Sequence, residues 1–164
     1  MPKRGTTSVL AADRLAFIEG RRTATLATLS GTGQARLVPI CFVLADPDAE
    51  DARAVLYSPL DEKPKRSGDV RGLARVRDIA ERSRVTMLFE RWDEDWSHLA
   101  WLRARGTASI EEPYEDAEAH RQVVQAMRAK YPQYRAQAID ASPMIRVVID
   151  EVISWSATAG PFER

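Results

Sequence analysis

Long apolar runs are missing from this chain of 164 residues. None approaches the ~20 consecutive apolar residues that a membrane-spanning helix needs. Cysteine is nearly missing. Cys41 stands alone, which excludes an intrachain disulfide and fits a reducing cytoplasm. An excess of either charge is missing too, because 24 Lys and Arg balance 24 Asp and Glu. The molecule as a whole therefore has no field to draw in nucleic acid or an anionic membrane. No glycine-rich loop follows a β-like run, so there is neither a dinucleotide fingerprint nor a P-loop. The basic opening "MPKRGTTSVLAADR" lacks an apolar stretch behind it, and no signal peptide is expected. His98 and His120 are the only histidines, and no Ser/His/Asp or Cys/His arrangement is readable. No residue is assigned a catalytic role. Asp93, Glu94, Asp95 and His98 match no metal-ligand spacing and read as an acidic turn, so no metal site is expected.

What is present is an ordinary globular composition, 45% apolar and 29% charged, at a length that suits one domain over residues 1–164. Leu15, Phe17 and Ile18 before Gly20 predict a short helix over 13–19. Two β-like runs flank Ser30-Gly31-Thr32-Gly33, which is hairpin turn chemistry. A third strand is expected over 54–58. Val70, Leu73, Val76, Ile79 and Ala80 recur at helical spacing. Strands follow over 84–91 and 101–112, and Pro113 sits where a further helix can begin. Tyr114, Ala117, Val124, Met127 and Tyr131 form one apolar stripe. In the last strand Ile145, Val147 and Ile149 share a face, and the phase breaks at Asp150–Glu151, as at a bulge. This order, α-β-β-β-α-β-β-α-β, predicts a mainly β, antiparallel sheet or barrel with peripheral helices.

Three stretches are candidates for function. "ARLVPICFV" (35–43) is apolar at nearly every position, which predicts a strand covered on both faces. Pro39 interrupts it and confines it to an edge or a break. Either the proline simply blocks aggregation at that edge, or the free backbone meets the polar rim of a flat ring. "LYSPLDEKPKRSGD" (55–68) packs Lys63, Lys65 and Arg66 into four residues. Two point charges and a planar fork suit phosphate, with Ser67 as a cap for the following helix. The alternative is a solvated loop paired with Asp61, Glu62 and Asp69. "RWDEDWSHLAW" (91–101) holds Trp92, Trp96 and Trp101, which suit packing, a subunit interface or an aromatic ligand. The arginines at 66, 71, 75, 77, 82 and 84 are a minor candidate for a nucleic-acid patch, interrupted by Asp69, Asp78 and Glu81.

Together, "RRTATLATLSGTGQARLVPICFVLAD", "LYSPLDEKPKR" and "FERWDEDWSHLAWLRARGTASI" resemble the pyridoxamine-phosphate-oxidase-like split β-barrel flavin/deazaflavin oxidoreductases. The closest resemblance is to the subgroup of probable coenzyme F-420-dependent enzymes, over about residues 13–155. The resemblance implies an antiparallel split barrel acting as a cytoplasmic homodimer with cofactor sites at its interface. It implies coenzyme F-420 as cofactor, with FMN as the alternative, and a small organic hydride acceptor as substrate. It places Arg36, Val38, Pro39 and Ile40 beside the ring, and Tyr57 and Ser58 on the strand leading to the phosphate. Lys63, Lys65 and Arg66 would hold that phosphate. Trp96 and Trp101 would close the site, and Arg71 and Arg75 would suit an acidic cofactor tail. A non-catalytic flavin-binding protein is the other implied class. No nucleic-acid or membrane partner is expected.

Overall fold

A computed structural model describes residues 10–45, 53–61 and 69–158. The elements are α1 (Ala12–Glu19), β1 (Ala24–Leu29), β2 (Ala35–Ile40), β3 (Val43–Ala45), β4 (Val55–Pro59), α2 (Ala74–Glu81), β5 (Arg84–Arg91), β6 (Ala100–Glu111), α3 (Ala117–Lys130) and β7 (Met144–Ser156). One antiparallel sheet runs β2-β1-β5-β6-β7-β4-β3 among the described residues. Its two edge strands are consecutive in the chain, joined only by Cys41 and Phe42. Six spacings across a flat sheet would separate those edges by about 29 Å. Three extended residues reach at most about 11 Å. The sheet therefore has to curl until its edges meet, although β2 and β3 form no ladder with each other. This is an antiparallel split barrel.

Local chemistry accounts for the elements. At the β1–β2 turn Gly33 has φ of 83°, a conformation natural to glycine, and its N–H donates to Ser30 O at 2.8 Å. The Ser30 hydroxyl accepts from Gln34 N at 3.0 Å. In β7, Asp150 is the extra residue: Arg105 pairs with Glu151 while Gly106 pairs with Ile149. The bulge expected at 150–151 is thus present. It is held by Arg53, Arg84 and Thr107, all of which donate to the Asp150 carboxylate. A Cβ at Gly106 would lie 2.4 Å from Val148 O, so the bulged strand admits only glycine there.

Four expectations need correction. The run 35–43 is two strands, because the Tyr131 hydroxyl takes both backbone groups of Phe42 between them. Nor is it covered on both faces, since β2 is an edge strand and Leu37 is 65% exposed. The helix α3 starts at Ala117 and not at Pro113, because the Asp116 carboxylate caps Ala119 N at 3.0 Å. Tyr114 falls outside the helix and off the stripe. Finally, α2 begins at Ala74 behind Leu73, and the single 3-10 turn before it is capped by Asp69. Ser67, expected as a helix cap, lies outside the described residues.

The inner face of the sheet carries the main core, including Ile18, Leu26, Phe42, Met87, Phe89 and Leu102. Phe42 and Phe89 meet edge to face at 5.1 Å. A second core lies on the outer face, where Val123, Val124 and Met127 of α3 pack on Val43 and Met144. Among the described residues no helix is long and apolar enough to cross a membrane.

Candidate functional site

The gap where the barrel fails to close is the candidate cleft. The β3–β4 ladder begins with Val43 opposite Tyr57, two residues before the end of β4 at Pro59. The β2–β3 break therefore lies beside the end of β4, where the chain enters the segment 62–68. Two tyrosines three residues apart tie the two lips together. Tyr131 O–H donates to Phe42 O at 2.7 Å and accepts from Phe42 N at 3.0 Å. Tyr134 O–H donates to Asp61 Oδ2 at 2.9 Å, and Asp61 is buried. Their rings meet edge to face at 5.8 Å. Burial raises the Tyr131 hydroxyl to about 12, so it stays a neutral donor across the ordinary pH range. Burial and the neighbouring Asp61 push Tyr134 up further still.

The predicted site residues divide. Pro39 lies on the free-edged strand opposite Thr25, as its chemistry demands. Val38 and Ile40 turn their side chains into the main core, leaving only backbone for a ring. Arg36 is engaged: its Nε lies 3.0 Å from Asp78 Oδ2, and Thr28 Oγ1 donates to the same oxygen at 2.8 Å. This buried carboxylate pins β2 and β1 onto α2. Ser58 is buried in β4. Tyr57 faces outward beside Glu111 and Arg146 in a cavity of about 910 Å3 that is also lined by Val43, Val55 and Val123. Burial and then Glu111 raise the Tyr57 hydroxyl, and burial likewise raises Glu111, against the pull of Arg146. Lys63, Lys65 and Arg66 lie outside the described residues.

The two tryptophans are set apart from the cleft. Trp96 sits on a single 3-10 turn and is 70% exposed. Trp101 lies on the outer face, opposite Trp155 in register. It lines a groove of about 430 Å3 with Thr25, Leu37, Leu88 and Arg103. That groove shares no lining residue with the two lips.

A phosphorylated ring cofactor needs a free strand edge for the ring and unspent cations for the phosphate. The edge is β2. Among the arginines near the root of segment 62–68, Arg71 is spent in a two-pronged pair with Glu112. Arg75 has an Nε that is buried without a hydrogen-bond partner, as have Arg21 and Arg103. Burial lowers the Arg75 pKa, and Asp61 acts in the opposite direction. An orphaned guanidinium N–H close enough to feel the Asp61 charge fits an anion at that point. Arg77, Arg82 and Arg84 each bond within the chain. No group of three or more potential metal ligands occurs among the described residues.

Tyr131, Tyr134, Arg22 and Lys130 are the cleft residues that sequence reasoning missed. Tyr131 is legible only as part of the α3 stripe, because pattern shows burial and not the target of a hydroxyl. Arg22 and Lys130 are far apart in sequence and meet only in the fold.

A family model described as pyridoxamine 5'-phosphate oxidase matches residues 11–156. No curated protein matches the chain. Among solved structures, a conserved hypothetical protein of Mycobacterium tuberculosis is similar at TM-score 0.66 and 21% identity, over 94% of this chain and 90% of that one. The heme storage protein HutZ of Vibrio cholerae is similar at TM-score 0.60 and 14% identity, covering 90% and 94%. An FAD-binding protein of Mesorhizobium loti is similar at TM-score 0.59 and 16% identity, covering 88% and 94%.

Proposed function

The chain belongs to the pyridoxamine 5'-phosphate oxidase family, and on that premise we propose that it is a cytoplasmic oxidoreductase that uses coenzyme F-420, with FMN as the alternative cofactor. The observation that carries this reading is the cleft. Among the described residues β2 is an edge strand, and the break at its end is tied through Tyr131 and Tyr134 to Asp61, at the root of a segment holding three cations and within electrostatic reach of the orphaned Arg75 N–H.

In this reading the backbone of Val38, Pro39 and Ile40 lies along the ring. Arg36 acts indirectly, by fixing β2 to α2 through Asp78. Lys63, Lys65 and Arg66 hold the phosphate, and Tyr57 and Ser58 end the strand that delivers them. When bound, the reduced deazaflavin supplies a hydride to a small activated acceptor. The chain positions the ring, shields it from water and balances the phosphate charge. Extra unspent cations around the cleft favour the more acidic coenzyme F-420 over FMN. The open outer-face groove is the homodimer surface, and Trp96 and Trp101 reach the partner's site from there.

The first test is turnover. Reduced coenzyme is mixed anaerobically with the protein and a panel of quinones and activated alkenes, and the oxidised chromophore is followed. Acceptor-dependent oxidation supports the enzyme, while tight binding without oxidation of any acceptor identifies a storage protein. The phosphate assignment has its own test: Lys63→Ala or Lys65→Ala should cost on the order of 1.5–3 kcal/mol in cofactor affinity. Thermal stability should stay unchanged. Unaltered affinity in both variants refutes the assignment.

A further inference from the structure

Several of the described cations are paired with carboxylates. Arg36, Arg53, Arg71, Arg84, Arg128 and Arg146 all face carboxylates within ion-pair reach. Arg22 and Lys130 are different. Arg22 Cζ lies 4.9 Å from the centre of the Tyr131 ring, and Lys130 Nζ lies 5.4 Å from the same ring and 4.0 Å from that of Phe42. Two cations thus share one ring, and neither has a carboxylate within ion-pair reach among the described residues. The nearby Arg128, by contrast, is engaged: it donates to the Tyr134 and Gln137 carbonyls beyond α3 and pairs with Asp140.

Holding two positive charges together without a counterion costs free energy, the more so when one is half-buried. Burial first, and then Arg22, bring the Lys130 ammonium down to about 8, with Glu19 and Cys41 pulling the other way. Cation–π contacts return only part of that cost. The position is also telling, because the shared ring belongs to Tyr131, which clamps the β2–β3 break. Its edge-to-face neighbour Tyr134 holds Asp61 at the root of the cation segment.

We infer that Arg22 and Lys130 form a second oxyanion subsite at the cleft, taking a carboxylate or phosphate of the bound molecule. The oxyanion has two possible sources, the acidic tail of the cofactor or an acidic group on the acceptor. Only this assignment of source rests on the cofactor reading above. The subsite itself stands on the unpaired cations.

The test uses full-length protein labelled at the lysine ε-carbons, with the Lys130 resonance identified through Lys130→Met. Inorganic phosphate is titrated into a Lys63→Ala/Lys65→Ala background, against chloride at matched ionic strength. The subsite predicts a saturable shift of the Lys130 resonance with phosphate alone and a rise in its titration midpoint. Arg22→Gln should weaken that phosphate affinity on the order of tenfold. A Lys130 resonance that answers phosphate and chloride alike overturns the inference. Adding each cofactor to the wild-type chain then assigns the source. A shift with coenzyme F-420 but not with FMN identifies the cofactor tail. A shift with neither, while phosphate still acts, identifies the acceptor. If no flavin binds at all, the cofactor reading fails while the phosphate response stands, so the two failures are distinguishable.

Discussion

The two halves of the sheet's outer face are built on the same strands and end differently. Over β3, β4 and the start of β7 the chain covers itself: α3 lays Val123, Val124 and Met127 on Val43 and Met144, and Met127 is fully buried. Over β2, β1, β5 and β6 nothing from the described chain covers Leu37, Leu88, Trp101 or, across β7, Trp155. The first half is an intramolecular core. The second is a surface whose composition is suited to burial, and burial there needs another molecule. The cleft sits at the seam between the halves, where Tyr131 leaves α3 and clamps the β2–β3 break.

Breaking the covered half should have the largest effect. Met127→Ala empties a fully buried position and should cost about 2–5 kcal/mol in chemical denaturation. A cost no larger than that of a surface substitution would mean that α3 is not part of the core. The seam should respond less. Tyr131→Phe leaves the Phe42 N–H and C=O unpartnered, which should cost about 1–3 kcal/mol and speed amide exchange at Phe42. The open half should barely affect the isolated fold. Leu37→Asp should change chain stability by no more than about 0.5 kcal/mol, yet shift sedimentation from dimer to monomer. A wild-type chain that is monomeric at all concentrations, yet binds cofactor, would dissolve the contrast between the halves.

The strands, the hairpin turn and the Asp150 bulge were legible because each is written in local chemistry: alternation, Gly33 at a turn, a phase slip in an apolar run. The break at Cys41–Phe42 was not, because its cause is a hydroxyl from residue 131, remote in sequence. The same limit governs the site. Pro39 at an edge could be read from what proline cannot do. Arg36 could not be read as spent, since its partner Asp78 sits on a helix that the pattern marks only by its apolar face. Lys63, Lys65 and Arg66 stood out as a run, and they lie outside the described residues. Arg22 and Lys130 stand far apart in the chain and become a pair only through the fold.

The central claim is that the cleft binds a phosphorylated ring through the segment after β4. Fluorescence-quenching titrations of one preparation with coenzyme F-420, FMN and haem in parallel test it most directly. The account predicts saturable quenching by coenzyme F-420, weaker quenching by FMN, and loss of both in Lys63→Ala/Lys65→Ala. Saturable binding of haem alone, or flavin binding indifferent to both lysines, would contradict it.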